Sequence, residues 1–338
     1  MDSRTLVRRS LEFDAPPGIP RQTWVLPWAE RHHPEAVAEL KARFPDDLVS
    51  APALYRSPSR VEGERYGRGR YVDEWGCCFD NPEEGIIGIV HQPRLAGWDD
   101  LDGFQTPEQL LDLDRTAIDA FCRGTDCFVL AGSVVRPFER LCFLRTMEQA
   151  LVDLFERPPE LSELLGRIHS HYCREVEAWA DTAVDGIALM DDWGGQGGLL
   201  VAPGLFRELF KPLYRDYAEI ARARGKYVFM HSDGWIVPLV EDFIEVGIHA
   251  LNSQVHCMGV PELGEHYRGR ITFWGEIDRQ ELLARGEPRR VRAAVQEVFV
   301  HLFASGGVIA QCEFGPGARP ENVLEVHRTW TEIAEALA

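Results

Sequence analysis

The feature that most constrains this chain is a repeated alternation of short apolar β-type runs with longer stretches of helical period. Short runs rich in Val, Ile and aromatic residues are typical of buried strands, whereas apolar residues recurring every three to four positions indicate amphipathic helices. Because the β-type runs come singly and not as hairpins, the order predicts parallel strands joined by crossover helices. The runs lie at 25–27, 48–50, 127–131, 186–190, 227–230, 248–252, 271–274 and 307–311.

Eight alternating strands are the number that a (β/α)8 TIM barrel requires, and 338 residues with 45% hydrophobic content suffice for its core. A doubly wound sheet is the alternative, but no Gly-x-Gly-x-x-Gly and no Walker lysine motif follows any strand. We therefore predict an α/β protein with a TIM barrel. Its expected helices lie at 147–155, 161–181, 203–224, 235–245, 289–304 and 321–337.

No linker divides the chain, since Pro and Gly fall singly at the edges of apolar runs and no low-complexity tract occurs. We predict one domain over residues 1–338, with an N-terminal extension of about residues 1–20. The region of about 72–101 differs, because its β run at 86–90 lies between Gly and Pro residues with no long helix before it. We expect a small hairpin-like insertion there, near the barrel mouth.

Charge and cysteine content argue against several classes of protein. The formal net charge is −18 and no Lys/Arg cluster is interleaved with aromatic residues, so we expect no binding to nucleic acid. No signal peptide follows the N-terminal arginines and no run approaches the roughly 20 apolar residues of a membrane span, so we expect a cytoplasmic protein. The eight cysteines include no Cys-x-x-Cys and are too sparse for a disulfide scaffold.

Several of the β-type runs end in residues that can bind metals or move protons. Parallel strands present their carboxyl ends at one face of a barrel, so these residues are expected to converge on one pocket. The residues at the strand ends are Asp191 and Asp192, His231 and Asp233, Glu276, and Cys312.

His231 and Asp233 stand two residues apart at a strand end, so their side chains can point to one side and share a ligand. The alternative is an ordinary helix N-cap beside a hydrogen-bonded imidazole. Cys312 is the candidate third ligand, because zinc accepts nitrogen, sulfur and oxygen donors and a catalytic site keeps one position open. We predict a zinc site formed by His231, Asp233 and Cys312.

Asp191, Asp192 and Glu276 are the candidate catalytic residues. Paired carboxylates shift one another's pKa values, which suits acid–base or cation-stabilising chemistry. The alternative for Asp191 and Asp192 is a capped helix start in a glycine-rich turn. A small-molecule substrate is the expected partner. The expected substrate-binding residues are Trp28, Trp193, Gln196, Asn252 and Gln254.

Segments in a fixed order along the chain carry a family resemblance. They are Asp-Glu-Trp-Gly at 73–76, the glycine-rich region 186–206, Gly-Lys through His-Ser-Asp-Gly at 225–234, Trp-Gly-Glu-Ile-Asp at 274–278, and Cys312 before Pro-Glu-Asn at 320–322. With these segments the chain resembles the uroporphyrinogen decarboxylase superfamily, and within it the methyltransferase-like branch that includes corrinoid-dependent methyltransferases. The resemblance implies a (β/α)8 barrel with its pocket at the carboxyl ends of the strands.

The methyltransferase-like branch implies zinc held by a His-x-Cys pair and a late cysteine, with a methylated corrinoid as donor and a zinc-activated thiol as acceptor. His231 matches the first ligand and Cys312 the late cysteine, but Asp233 stands where the second thiolate is expected. An oxygen donor is harder than a thiolate, which leaves the metal's identity open. The implied cofactors are zinc and a corrinoid supplied by a small partner protein.

The decarboxylase branch binds carboxylates through an arginine-rich first strand, which residues 21–28 do not reproduce. The leading hypothesis is therefore metal-assisted methyl transfer to a thiol or alkoxide. One alternative is a metal-free decarboxylase or lyase acting on a carboxylated small molecule, with Asp191 or Asp192 stabilising a cationic intermediate. The other is a non-catalytic barrel that binds a corrinoid or tetrapyrrole.

Overall fold

The computed structural model describes residues 1–58 and 60–337. Eight strands form one parallel sheet, which confirms the predicted TIM barrel. They are β1 (Arg21–Val25), β2 (Leu48–Ser50), β6 (Phe128–Val135), β7 (Gly186–Met190), β10 (Tyr227–Ser232), β11 (Ala250–Ser253), β12 (Thr272–Trp274) and β13 (Val308–Phe314). The smaller strands are β3 (Gly69–Val72), β4 (Cys78–Asn81), β5 (Ile89–Gln92), β8 (Gly194–Gly195) and β9 (Gly198–Leu199).

The order of the large sheet is β1-β13-β12-β11-β10-β7-β6-β2, which brings the first two strands of the chain to its two edges. Hydrogen bonds from the segment before β2 join these edges. The backbone N–H of Asp47 donates to the Arg21 carbonyl at 2.8 Å, and the Arg21 N–H donates to the Asp47 carboxylate at 2.8 Å. The Thr23 N–H donates to Asp46 Oδ1 at 2.7 Å. Aspartate side chains therefore help to close the barrel between β1 and β2.

Helices cover the outside of the barrel, and many begin with proline at their first or second position, where its missing N–H leaves no intrahelical bond unmade. Two short 3-10 helices lie at Trp98–Leu101 and Glu108–Leu111. The α-helices are α1 (Ser3–Leu11), α2 (Pro27–His32), α3 (Pro34–Arg43), α4 (Arg115–Arg123), α5 (Pro137–Arg145), α6 (Met147–Glu156), α7 (Pro159–Ala180), α8 (Pro203–Leu209), α9 (Lys211–Ala223), α10 (Val237–Val246), α11 (Val255–Met258), α12 (Val260–Tyr267), α13 (Leu282–Arg285), α14 (Pro288–Leu302) and α15 (Pro320–Leu337).

Strand side chains alternate between two apolar cores, because successive residues of a strand point to opposite faces. Phe229, Trp274 and Ile309 pack in the barrel interior, while their neighbours on the strands pack outside against the helices. Val7 and Leu11 of α1 belong to the interior core. The N-terminal helix therefore plugs the barrel at the end opposite to the carboxyl ends of the strands.

The sequence predicts a hairpin-like insertion at about 72–101, and the structure has the three-stranded antiparallel sheet β3-β4-β5 between β2 and β6. Arg140 of α5 connects this sheet to the barrel. Its guanidinium donates to Asp73 at 2.6 Å and lies over the Trp75 ring at 4.7 Å from the centroid. The insertion is thus attached to the barrel wall by a buried ion pair.

Among the element boundaries that differ from the prediction, two show the effect of proline. The first strand ends at Val25, and Pro27, expected within it, begins α2 instead, since its fixed φ suits the first turn of a helix. The expected helix at 203–224 is divided at Phe210 into α8 and α9, beside Pro212, which has no N–H to continue the first helix. Across the described part of the chain, no helix has the length and apolar character needed to cross a bilayer.

Candidate functional site

His231 lies on the inner face of β10, and its two ring nitrogens have different surroundings. Nδ1 is 2.6 Å from Oδ1 of Asn252, which can only accept, so Nδ1 carries the hydrogen. The amide of Asn252 in turn donates to the carbonyl oxygen of Trp274. Asn252 therefore fixes the ring and directs Nε2 toward the mouth of the barrel.

Two carboxylates converge on the free nitrogen of His231. Nε2 lies 3.5 Å from Oδ1 of Asp192 and 3.7 Å from Oδ1 of Asp233. One ligand atom from each of the three residues lies within 4.8 Å of the other two. The three residues form a donor set of one nitrogen and two oxygens that could hold a metal ion.

Glycines allow the loops after β7 and β10 to approach closely enough to form this set. Gly234 has φ +81°, and a Cβ there would collide with the backbone of Gly194. The Gly194 N–H donates to the Asp233 carbonyl at 3.1 Å, and the Asp233 N–H donates to Asp192 Oδ1 at 3.0 Å. Glycine at 194, two residues after Asp192, therefore allows the loop to approach the loop after β10 closely.

Charge around His231 favours its protonated form while no metal is bound. Burial by itself would lower its pKa, but the hydrogen bond to Asp192 and the charges of Asp233 and Asp192 raise the pKa to about 9. Burial opposes ionisation of Asp192, yet the contact with His231 outweighs it and lowers the pKa of that carboxyl. The metal-free site therefore holds an imidazolium between two carboxylates.

Arg279 links Asp233 to two further acids. Its guanidinium donates to Asp233 and, at 3.1 Å, to Glu313, while its Nε lies 3.4 Å from Glu276. Burial raises the pKa of Glu276 to about 8 although Arg279 opposes the shift. Glu276 is therefore a neutral acid near pH 7 beside the cluster. The sequence analysis missed Arg279 and Glu313. The available signals were the three-residue spacing of Arg279 from Glu276 and the position of Glu313 directly after Cys312 near a strand end.

Cys312 does not lie with the other predicted metal ligands, which corrects the sequence-based assignment. The strand β13 continues to Phe314, so Ile309, Gln311 and Glu313 face inward and Cys312 faces the helices. Its sulfur lies 3.6 Å from Nε2 of His327 on α15, and burial raises the pKa of its thiol. Asp192, predicted as a catalytic residue, occupies the third position beside His231 and Asp233.

Asp191 likewise has a structural position and not the predicted catalytic one. Its side chain is fully buried and accepts the backbone N–H groups of Phe138 and Glu139, at 3.2 and 2.7 Å, and the hydroxyl of Tyr214. It therefore caps the N-terminus of α5, because unpaired N–H groups in the first turn favour a carboxylate there.

The predicted substrate-binding residues fall into different places. Trp193 is completely buried, stacked on Phe138 at 4.3 Å, so it packs in the helical layer instead of facing substrate. Trp28 stacks on His32 in α2 and lines neither of the cavities nearest the site. Asn252 orients His231. Gln196 and Gln254 line another cavity, of 180 Å³, together with Glu276 and Arg279.

Two adjoining cavities lie near the cluster of Asp192, His231 and Asp233, and the smaller one reaches His231. The smaller, of 230 Å³, is lined by His231 and by apolar side chains that include Trp24, Met190 and Trp274. The larger, of 550 Å³, lies between the insertion and the barrel and shares Gly132, Val134 and Met190 with the smaller. A small molecule at His231 can therefore extend toward the insertion.

Comparison with solved structures agrees with this architecture. A methyltransferase from Methanosarcina mazei is similar over 98% of this chain and 99% of its own, with a TM-score of 0.72 and 17% identity, which establishes the shared fold. Two weaker matches are a Flavobacterium johnsoniae GH18 chitinase (TM-score 0.36, 9% identity, 66% of this chain and 81% of that one) and a Yersinia pestis DHPS (TM-score 0.39, 9% identity, 94% of each chain).

Sequence comparison establishes the family. No curated protein matches the chain. The model of the uroporphyrinogen decarboxylase (URO-D) family matches residues 72–333, which run from the end of β3 through six of the eight barrel strands to most of α15. This match covers well over half of the chain and includes every residue of the cluster around His231. The chain therefore belongs to the uroporphyrinogen decarboxylase family.

Proposed function

We propose that this protein is a metal-dependent methyltransferase, with zinc held by Asp192, His231 and Asp233 and a thiol or alkoxide acceptor in the adjoining cavity. The observation that carries the proposal is the convergence of three ligand atoms within 4.8 Å at the carboxyl ends of β7 and β10. The similar Methanosarcina mazei structure is that of a methyltransferase, and we carry that reaction class to this chain as part of the proposal.

The residues present fit a metal ion in three respects. Oδ1 of Asp233 is buried and has no hydrogen-bond partner among the described residues, although such atoms are normally satisfied. The other nitrogen of His231 is bonded to Asn252, as the second nitrogen of a metal-ligating histidine usually is. Three protein donors of nitrogen and oxygen type leave a fourth position for the acceptor, which zinc catalysis requires.

Bound zinc would lower the pKa of a coordinated thiol or alcohol and so make it nucleophilic near pH 7. The chain's own residues prepare the surroundings. Trp24, Met190 and Trp274 give the cavity apolar walls that limit water. Glu276, neutral near pH 7 because burial raises its pKa to about 8, holds a proton beside the cluster. The methyl donor in this proposal is a methylated corrinoid on a small partner protein, or a small methylated compound.

Metal analysis tests the ligand set directly. We expect near-stoichiometric zinc in wild-type protein purified without metal-affinity tags, and its loss in His231→Ala and in Asp192→Asn. Cys312→Ser is the matched control, because its thiol faces α15 and its loss leaves the cluster intact. Wild-type protein that takes up no added zinc would contradict the proposal, and so would zinc loss confined to the Cys312 variant. Methyl transfer from methylcobalamin to 2-mercaptoethanol, followed by absorbance, then tests the reaction.

A metal-free lyase is the second candidate, and one observation favours it. His231 already forms an imidazolium between Asp192 and Asp233, so the cluster is electrostatically balanced without a metal. In that case His231 would bind or protonate a carboxylated substrate from the same cavity. A protein that stays free of zinc yet decarboxylates or binds such a substrate, with loss in His231→Ala, would establish this candidate over the first.

A further inference from the structure

The larger cavity has an arginine on its wall whose charge is not matched by a hydrogen-bonded acid. Arg136 precedes α5, its side chain is only 15% exposed, and it lies beside Met190, the residue common to both cavities. Its Nη2 is 3.1 Å from the sulfur of Met190. The guanidinium thus stands at the passage from the His231 cavity to the space under the insertion.

The other buried arginines nearby are fully engaged, which sets Arg136 apart. Arg140 donates to Asp73 at 2.6 Å and to Tyr172 at 3.4 Å, and Arg145 donates to Asp153 at 2.7 Å. The acid paired with Arg136 is Glu139, whose nearest oxygen is 3.6 Å away, beyond hydrogen-bond reach. Arg136 thus has an ion-pair neighbour in Glu139 without a direct hydrogen bond to it.

A buried guanidinium without such a partner is costly unless a ligand supplies one. Two of the acids on the cavity wall have other partners: Asp73 is bonded to Arg140, and Glu175 lies 3.5 Å from His171. Glu74 also lines this wall. Arg65 also lines the cavity, but its residue is exposed to solvent. Arg136 is therefore the guanidinium of this wall that is both shielded from solvent and loosely paired, with its nearest acid oxygen, on Glu139, 3.6 Å away.

We propose that Arg136 binds the carboxylate of the substrate, so that the acceptor is a small carboxylated thiol or alcohol whose reactive end lies at His231. The identity of the reactive end rests on the proposed function, whereas the carboxylate site rests on Arg136 alone. A guanidinium suits this role because its planar N–H groups match the two oxygens of a carboxylate.

Calorimetric titration with three small probes tests the inference: 3-mercaptopropionate, the neutral thiol 2-mercaptoethanol, and the thiol-free butyrate. In wild-type protein we expect 3-mercaptopropionate to bind at least tenfold more tightly than 2-mercaptoethanol. Arg136→Gln should weaken both carboxylates by about 10- to 100-fold, as for loss of a charged hydrogen bond, and leave 2-mercaptoethanol unchanged. Arg65→Gln, at the exposed rim of the same cavity, is the matched control and should change binding less than twofold.

The outcomes separate this inference from the proposed function. Butyrate binding that survives His231→Ala and is lost in Arg136→Gln supports the carboxylate site even if no zinc is found. Wild-type protein that binds neither carboxylate, or binds them equally well in Arg136→Gln, overturns the inference. Arg136→Lys keeps the positive charge and serves as a second variant in case the Gln variant misfolds. Partial affinity for the carboxylates in a folded Lys variant supports the site. A Lys variant with unchanged melting temperature and the same affinity as the Gln variant contradicts a charge-based role.

Discussion

At the scale of single residues, the orientation of His231 depends on Asn252. One end of this amide accepts from the imidazole and the other donates to the Trp274 carbonyl, so the side chain is held on both sides within the barrel. A ligand ring fixed in this way loses less freedom when it binds a metal. In the proposed zinc site, the amide would thus orient the ligand ring without touching the ion.

Replacing Asn252 by Leu is expected to weaken zinc binding by about 10- to 100-fold, because the ring of His231 loses its hydrogen-bond acceptor while the volume is kept. A chelator competition assay measures the change. Ser253→Ala is the neighbouring control: the hydroxyl of Ser253 has no hydrogen-bond partner among the described residues. Equal zinc affinity in wild type and Asn252→Leu would mean that packing alone holds the imidazole.

At the scale of elements, the two ends of the barrel have different tasks. The carboxyl ends of β7 and β10 carry Asp192, His231 and Asp233, while α1 closes the opposite end. Arg4 and Arg8 of α1 anchor it by donating to Asp185 at 2.9 and 2.6 Å. Since the plug lies at the far end from the cluster, it contributes stability and not chemistry.

Val7→Ala is expected to lower the free energy of unfolding by about 2 kcal/mol, because Val7 is fully buried in the interior core and its truncation leaves a cavity. Denaturant unfolding measures the loss. Val300→Ala is the matched control. Val300 lies on α14 and is 60% exposed, so its truncation should alter the free energy of unfolding by less than about 0.5 kcal/mol. Similar losses in the two variants would show that α1 does not plug the folded barrel in solution.

At the scale of the whole molecule, the barrel is joined between β1 and β2 with the help of two adjacent acids. Asp46 accepts the Thr23 N–H and Asp47 accepts the Arg21 N–H. Partial burial raises the pKa of Asp46 to about 6, although the bond from Thr23 opposes this and the charge of Asp47 adds to it. Closure of the barrel therefore places an ionisable group where its charge is unfavourable.

Asp46→Asn is expected to stabilise the protein at pH 8 by about 1–3 kcal/mol and to have little effect near pH 4. The pKa of Asp46 is about 6 in the folded state, against an ordinary value of 3.8 in the unfolded chain, so the folded state holds the proton more tightly. Ionisation of Asp46 therefore costs stability as the pH rises from 3.8 to about 6. The Asn oxygen can still accept from Thr23. Thermal melts at both pH values measure the difference, and an equal effect at pH 4 and pH 8 would exclude ionisation as its cause.

The sequence by itself determined the barrel and the general position of its site. Each β-type run is a local pattern, so seven of the eight strands could be located, as could the polar residues that follow β7, β10 and β12. The run at 25–27 shares only Val25 with β1. The two-residue spacing of His231 and Asp233 was also informative, because it constrains both side chains to one side of the same strand end. These features depend only on neighbours along the chain.

Only the tertiary structure decided which polar residues share the pocket. The two-residue period fixes faces relative to one another, but the side that becomes the interior is set when the sheet closes and the helices pack. For that reason Asp192 joins His231 while Cys312 meets α15 and Asp191 caps α5. Arg279 bonds to Asp233, which is distant in sequence, and Arg136 is only loosely paired with Glu139. No local sequence pattern predicts either arrangement.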